Sequence, residues 1–115
     1  MTTTGEYRVK IAPIAAKELR EIVRYIAKNN PSNAKNFATI VRNKINTVLS
    51  NNPHICPLPK HYPVLGTAGY RRLVVHKNYS VLFVIIGQTV EVRHMLHNKR
   101  AWNIVADGKS LESPY

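Results

Sequence analysis

Acidic residues are scarce in this sequence. Only 6 of the 115 residues are Asp or Glu, whereas 17 are Lys or Arg, so the formal net charge at pH 7 is +11. A field of that sign attracts polyanions and speeds their encounter with the protein. Because ordinary protein surfaces mix both signs of charge, the excess points to a polyanionic partner, which can be RNA, DNA, an acidic protein or an anionic membrane surface.

Cysteine is nearly absent as well. Cys56 is the single cysteine, which excludes a disulfide within the chain and gives no indication of an oxidising compartment. No positioned base stands near it in the sequence, so we expect a buried, unreactive thiol. His54 and His61 lack the spacing of metal ligands. We therefore expect no metal, no cofactor and no small-molecule ligand.

Long apolar runs are missing too. The longest, Val81–Ile86, is far shorter than the roughly 20 residues that a membrane-spanning helix needs. The segment Met1–Glu6 contains neither an apolar run nor a cleavage signal. We therefore expect a soluble, cytoplasmic protein that does not act on a membrane. The length fits one domain, which we expect to span residues 1–115 with a flexible leader (1–5) and a flexible tail (106–115).

The first half of the chain predicts one strand and two helices. Tyr7–Ile11 alternates apolar and basic residues with the period of a half-buried strand. Over residues 13–29 the apolar positions recur every three or four residues, which is typical of a helix with one apolar face. Asn30 and Pro31 then predict a tight turn and the start of a second helix, whose apolar stripe continues to Leu49. Two such stripes predict a helical hairpin.

The second half predicts a loop followed by three strands. Pro53–Gly69 contains four prolines, which indicates a stiff irregular loop. Tyr70–His76, Tyr79–Ile86 and Thr89–His97 have the composition of strands and are joined by two-residue connections of hairpin type. The sequence therefore predicts an α+β fold of the order β-α-α-β-β-β, in which a helical hairpin packs on a small antiparallel sheet.

The last strand carries the residues best suited to chemistry. Alternation predicts that Glu91, Arg93 and His97 lie on one face, together with Met95. A carboxylate, a guanidinium and an imidazole would then be close neighbours. An ordinary ion pair between Glu91 and Arg93 is the alternative role for those two side chains.

Further cationic residues flank this strand. Alternation in residues 70–76 predicts that Arg72 and His76 share a face, and basic residues also follow the last strand. The candidate phosphate-binding residues are Arg71, Arg72, Lys77, Lys99 and Arg100. Trp102, which comes directly after them, is expected to anchor the tail by packing.

This combination matches what cleavage of RNA at a 2′-hydroxyl requires. A base must take the hydroxyl proton, cations must stabilise charge on the phosphate oxygens, and an acid must protonate the leaving oxygen. Arg93 is suited to bind phosphate, because guanidinium is planar and always charged. His97 is suited to act as acid or base, because imidazole titrates near neutrality, and Glu91 or His76 could assist it.

Several segments resemble the toxins of the RelE/ParE family. In the second half these are Gly69–Val75, Asn78–Val84 and Val92–Trp102, which read as a basic strand, an aliphatic-aromatic strand and a final strand ending in His, basic residues and an aromatic. In the first half they are Pro-x-Ala-x-x-x-Leu at Pro13–Leu19 and Asn-Pro-Ser-x-Ala-x-Asn-Phe at Asn30–Phe37. Their order and spacing together identify the chain as similar to this family over roughly residues 6–102.

The resemblance implies two helices packed on a small antiparallel sheet, and an acidic antitoxin that wraps and blocks the toxin. It also implies one of two activities. RelE-like members cut messenger RNA in the ribosomal decoding site, whereas ParE-like members inhibit DNA gyrase and have no nuclease site.

The resemblance can be carried to single positions. His97 matches the position of a catalytic imidazole in several nuclease members, and Arg93 matches a phosphate-binding arginine. The ending His97–Trp102 also resembles ParE-like members, with Ala101 in place of their acid. Ser80 stands where the nuclease branch often has an arginine.

Three functions are therefore open, and the predicted common face of Glu91, Arg93 and His97 favours the first of them. The first is a ribosome-dependent mRNA endoribonuclease that needs no metal, with the ribosome and mRNA as partners. The second is an inhibitor of DNA gyrase with no catalytic activity. The third is an inactive relative that serves only as a binding module for an acidic antitoxin.

Overall fold

The chain folds in the predicted order of elements. The computed structural model describes residues 6–57 and 67–98. The elements are β1 (Arg8–Ile11), α1 (Pro13–Ala27), α2 (Pro31–Asn51), β2 (Arg71–His76), β3 (Tyr79–Ile86) and β4 (Thr89–His97). All bounds lie close to those that the sequence predicts, so the α+β class and the order of elements are confirmed. The predictions for residues 1–5 and 106–115 lie outside the described residues.

Local chemistry fixes the start of both helices. Pro13 and Pro31 occupy the first turns, where the missing N–H costs no hydrogen bond. The Asn30 side-chain oxygen accepts a hydrogen bond from the backbone N–H of Asn33 at 3.0 Å, which satisfies one of the donors that a helix start leaves unpaired. The connection between Ala27 and Pro31 is short, and the two helices pack side by side.

Neither helix has the character of a membrane segment. In residues 6–57 and 67–98 no helix is both long and apolar enough to cross a bilayer. The outward-facing sides of the two helices are instead basic. Their exposed cationic residues are Lys17, Arg20, Arg24, Lys28, Lys35, Arg42 and Lys44.

The four strands form one sheet in the order β1-β4-β3-β2. β2, β3 and β4 are an antiparallel meander, and Gly87 in the β3–β4 turn has a φ of 61°, the left-handed conformation that such hairpin turns require. β1 pairs in parallel with β4, with Arg8 opposite Thr89 and Ile11 opposite Val92. The sheet is therefore mixed. The alternation of apolar and polar residues does not predict a mixed sheet, because it does not reveal the direction in which a strand runs.

Two bulges interrupt the strand ladders. Val75 has no partner in the β2–β3 pairing, and Arg93 has none in the β3–β4 pairing. An extra residue in one strand disrupts the regular alternation of side chains. Both bulges fall inside the segments that carry the candidate site residues, so they decide which of those residues can meet.

The helices cover one face of the sheet, and the core lies between the helix layer and the sheet. The buried members of this core are Ala15, Leu19, Ile22, Phe37, Val41, Ile45, Leu49, Cys56, Leu73, Val75, Tyr79, Val81, Phe83, Val90, Val92 and Met95. Burial of one large apolar side chain contributes roughly 1.5–3 kcal/mol, which makes this layer the main source of stability. Leu82, Val84 and Leu96 are also buried but do not belong to this core.

Candidate functional site

Arg93 is held by an acid on its own strand and by an aromatic ring. Its Nε donates a hydrogen bond to Glu91 Oε1 at 2.6 Å, and its guanidinium carbon lies 5.9 Å from the centre of the Tyr70 ring. Hydrogen bonds with Glu91 and Tyr70 raise the pKa of Arg93 above its ordinary value. The guanidinium is charged, but one of its donors is committed to Glu91, as the ion-pair alternative predicts.

His97 and His76 lie in an aromatic cluster against α2. The ring centre of His97 is 5.0 Å from that of Tyr79, and Tyr79 is 5.2 Å from Phe37 of α2. Phe37 is in turn 5.0 Å from His76. These are edge-to-face contacts, each worth about 0.5–1.5 kcal/mol beyond area burial. Burial raises the pKa of the Tyr79 hydroxyl.

The predicted common face of Glu91, Arg93 and His97 is not formed. Val92 and Met95 both belong to the helix-side core, although regular alternation would put them on opposite faces. The bulge at Arg93 is the reason, because it changes the phase of β4 between them. His97 therefore follows Met95 toward the helices, whereas Glu91 alternates to the other face and binds Arg93 there.

The predicted common face of Arg72 and His76 is not formed either. The unpaired Val75 separates them in β2, and His76 turns toward Phe37. Its Nδ1 is buried with no hydrogen-bond partner in the part of the chain that the structure describes. Arg72 belongs to a different network on β2 and β3.

Ser80 joins three segments through its hydroxyl. The residue is fully buried; its Oγ accepts a hydrogen bond from Arg72 Nε at 3.2 Å and donates one to Asn98 Oδ1 at 2.6 Å. The backbone N–H of Asn98 donates to the carbonyl of Asn78 at 2.8 Å. The residue that departs from the nuclease pattern therefore has a structural role, linking β2 and β3 to the end of β4.

Arg71 fastens β2 to the segment after α2. Its Nη1 donates to the carbonyls of Cys56 at 2.7 Å and His54 at 3.3 Å. Cys56 is buried, as predicted. Burial raises the pKa of its thiol, and the Arg71 charge opposes that rise only in part. Arg71 thus serves the fold at a position where the sequence suggested phosphate binding.

The remaining candidates are placed as follows. Lys77 is exposed in the β2–β3 turn, while Lys99 and Arg100 lie outside the described residues, as does Trp102. Within residues 6–57 and 67–98, no three His, Cys, Asp or Glu side chains gather in a way that could hold a metal ion. The structure thus brings Glu91 into contact with Arg93, and it brings His76 into the aromatic cluster that contains His97. The ion pair and the aromatic cluster do not form one site.

A carboxylate that sequence reasoning did not single out connects α1 to β4. Glu18 Oε1 accepts a hydrogen bond from the backbone N–H of Met95 at 2.8 Å, and its Oε2 lies 3.3 Å from His94 Nδ1. The pairing of β1 with β4 ends at Val92, so Glu18 supplies an acceptor to the strand edge that β1 leaves uncovered. The sequence offers one signal for Glu18. Acidic residues are scarce in this chain, so each one is a candidate for a specific contact.

Comparison with known proteins gives the family. The family model described as "ParE toxin of type II toxin-antitoxin system, parDE" matches residues 9–102. The chain belongs to the ParE toxin family. The match spans nearly all of the described strands and helices. It supports the predicted role as a toxin and the predicted antitoxin partner, which RelE-like and ParE-like members share.

The fold of this ParE-family chain is also that of a solved structure. A chain of the chromosomal ParDE TA system from P. aeruginosa superposes with a TM-score of 0.67, covering 82% of this chain and 98% of that chain. The two sequences are 16% identical, so the likeness shows the shared fold. No curated protein matches the sequence. The expectation of two helices packed on a small sheet is confirmed, but the sheet is mixed and not antiparallel throughout, because β1 runs parallel to β4.

Proposed function

We propose that this ParE-family toxin arrests growth by inhibiting DNA gyrase and performs no covalent chemistry of its own. The observation that carries the proposal is the separation of Arg93 from His97. An acid–base group and a phosphate-binding cation must reach one phosphate together to cleave RNA. Here the guanidinium is bonded to Glu91 on one side of the sheet and the imidazole packs on Tyr79 on the other, an arrangement suited to binding.

The charge of the chain is consistent with this target. The net charge of +11 favours association with assemblies that contain nucleic acid, and gyrase works on DNA. Ser80 adds support, since a buried hydroxyl bonded to Arg72 and Asn98 stands where the nuclease branch often has an arginine.

Cleavage of mRNA on the ribosome is the competing function. It would use His97 and Arg93 as catalytic residues, with Glu91 or His76 assisting. Its phosphate-binding residues would be Arg71, Arg72, Lys77, Lys99 and Arg100. Because it requires His97 and Arg93 to act on one phosphate, this function also predicts that His97→Gln abolishes toxicity.

The test combines a purified system with induction in cells. We expect the purified toxin to block supercoiling of relaxed plasmid by DNA gyrase in a dose-dependent way, and His97→Gln to block it equally, since glutamine preserves polarity and much of the packing. Thermal unfolding of both proteins controls for folding. Primer extension on transcripts after induction should show no new 5′ ends.

Two results would overturn the proposal. Normal supercoiling with excess toxin, together with new transcript ends that disappear in His97→Gln, would identify a nuclease. Normal supercoiling with no growth arrest in cells that lack the antitoxin would leave an inactive binding module.

A further inference from the structure

The outward side of α1 carries a straight row of cations. Its members, Lys17, Arg20, Arg24 and Lys28, are all exposed. They recur every three or four residues, so they fall within about 80° of the helix circumference and are separated by about 4.5–6 Å along the axis. This arc is opposite the side on which Ile22 is buried. We call these four residues the basic row.

In the described part of the chain, no acid neutralises the basic row. The two ion pairs found there lie within β4 and between α1 and β4, and neither includes a member of the row. Glu21, the second acid of α1, forms no ion pair in the same part of the chain. α2 contains no acid and adds Arg42, which lines one groove together with Arg20 and Arg24. The two helices therefore present one cationic face.

This face lacks the apolar surface that a protein interface uses. The exposed large apolar side chains of α1 are Ile14 and Tyr25, and both lie on a flank about 80–100° from the centre of the basic row. The centre of a protein interface is enriched in aromatic side chains and depleted in lysine, whereas Lys17 and Lys28 make up half of the row. A ligand that is recognised mainly by its negative charge suits this face better than a folded protein.

Among such ligands, a double helix suits the face better than a single strand. Single-stranded nucleic acid is commonly bound on aromatic platforms, and the basic row contains no aromatic residue. Duplex DNA carries about one negative charge per 1.7 Å of its axis, and lysine and arginine bind its phosphates without any contact to the bases. Because Arg42 lies on the neighbouring helix, a wide ligand contacts both helices at once.

We propose that the outward face of the helical hairpin binds the phosphate backbone of double-stranded DNA without regard to sequence. The contacts are made by the basic row of α1 and by Arg42 of α2. The choice of duplex DNA over duplex RNA rests on the proposed function, because gyrase works on DNA, whereas the phosphate contacts themselves do not depend on gyrase. Toxin bound in this way is concentrated along the DNA on which gyrase acts.

The first test measures how binding to a short fluorescent DNA duplex depends on salt, with anisotropy as the signal. The logarithm of the association constant falls with the logarithm of the salt concentration, by about 0.9 per neutralised phosphate, so five contacts give a slope of about −4.5. R20Q/R24Q removes two of these contacts and should change the slope to about −2.7. R8Q/K10Q removes the same charge from exposed positions of β1 and should leave the slope near that of the native protein.

The second test changes the ligand. Two DNA duplexes of different sequence should bind equally well, because phosphate contacts carry no sequence information. Single-stranded DNA, duplex RNA and polyglutamate of matched charge should each bind more weakly than the DNA duplex. Thermal unfolding of both variants controls for folding, and glutamine at the two positions of α1 preserves helix propensity.

Several outcomes would overturn the proposal. Equal slopes for R20Q/R24Q and R8Q/K10Q would show a diffuse field without a defined binding face. Tighter binding of polyglutamate would assign the face to an acidic protein, and tighter binding of single-stranded DNA or duplex RNA would exclude duplex DNA as the ligand. The assay contains no gyrase, so failure of gyrase inhibition would leave its result unchanged. A toxin that inhibits gyrase but does not bind the duplex would refute this proposal alone.

Discussion

The carboxylate of Glu18 takes the place of a strand neighbour for part of β4. It is 13% exposed and contacts both the Met95 backbone and the His94 ring. Removing one partner of a buried hydrogen bond leaves the other unsatisfied, at a cost of about 1–3 kcal/mol. The contact also ties α1 to the strand that carries most of the candidate site.

We predict that Glu18→Ala lowers the free energy of unfolding by about 1–3 kcal/mol, measured by urea denaturation. Hydrogen exchange at the Met95 amide should accelerate, because that N–H loses its acceptor. Glu21→Ala is the control on the same helix and should stay within about 0.5 kcal/mol of the native protein. An equal loss in both variants would contradict the assigned role of Glu18.

The thiol of Cys56 should make stability fall at alkaline pH. Burial raises its pKa above the ordinary value of 9.0, so the unfolded chain ionises first as pH rises. The thiol contribution is therefore fully present below pH 9.0 and is lost as pH rises through the higher folded pKa. The difference in unfolding free energy between the native protein and Cys56→Ala should shrink over that range.

Alkylation gives an independent measurement of the same thiol. Iodoacetamide reacts with the thiolate, so Cys56 should react much more slowly in the folded protein than in urea-unfolded chain at the same pH. Equal rates in the two states, or a difference from Cys56→Ala that does not depend on pH, would show that the thiol is accessible.

At the scale of elements, α2 depends on its N-cap. The Asn30 side chain accepts a hydrogen bond from the Asn33 N–H, and loss of such a cap typically costs about 1 kcal/mol. We predict that Asn30→Ala destabilises the protein by that amount in urea denaturation, while Asn30→Ser is close to neutral. Asn29→Ala changes the preceding exposed residue and should have little effect. A larger loss for Asn29→Ala than for Asn30→Ala would locate the cap elsewhere.

The helices and strands could be predicted from sequence because their signals are local. Proline at the first turn, asparagine at a cap and the apolar periods of helix and strand all act within a few residues. The core could be predicted for the same reason, as the stripes on α1 and α2 show at Leu19 and Val41. The parallel pairing of β1 could not, because its alternation indicates a strand but neither its partner nor its direction.

The geometry of the candidate site could not be predicted, because two bulges decide it. Consecutive apolar residues, such as Met95 and Leu96 in β4, fit either phase of alternation, so the sequence does not reveal where the phase changes. The bulges at Val75 and Arg93 separate residues that regular alternation would unite. The candidate residues could therefore be identified from the sequence, but their orientation relative to one another could not.

At the scale of the whole molecule, the exposed bases of α1 and α2 carry positive charge that neither ion pair of residues 6–57 and 67–98 neutralises. Among the described residues, Glu18 and Glu91 are both engaged in internal contacts, while the bases on the two helices are exposed. Such a field mainly affects the rate of association with an acidic partner.

We predict that the association rate with the acidic antitoxin falls by about tenfold or more between low and high salt, measured by stopped flow, while the dissociation rate changes less. The variant K17E/K28E/K44E lowers the net charge by six and should therefore reduce the slope of this salt dependence. A salt effect confined to the dissociation rate would contradict electrostatic steering.

Glu18 also bears on how the toxin behaves when it is alone. An uncovered strand edge is a template onto which another chain can add, and successive additions lead to fibrils. A carboxylate already seated on that edge opposes such growth, because an incoming backbone would have to displace a bonded charge. The same side chain therefore opposes the addition of a further strand at that end of β4.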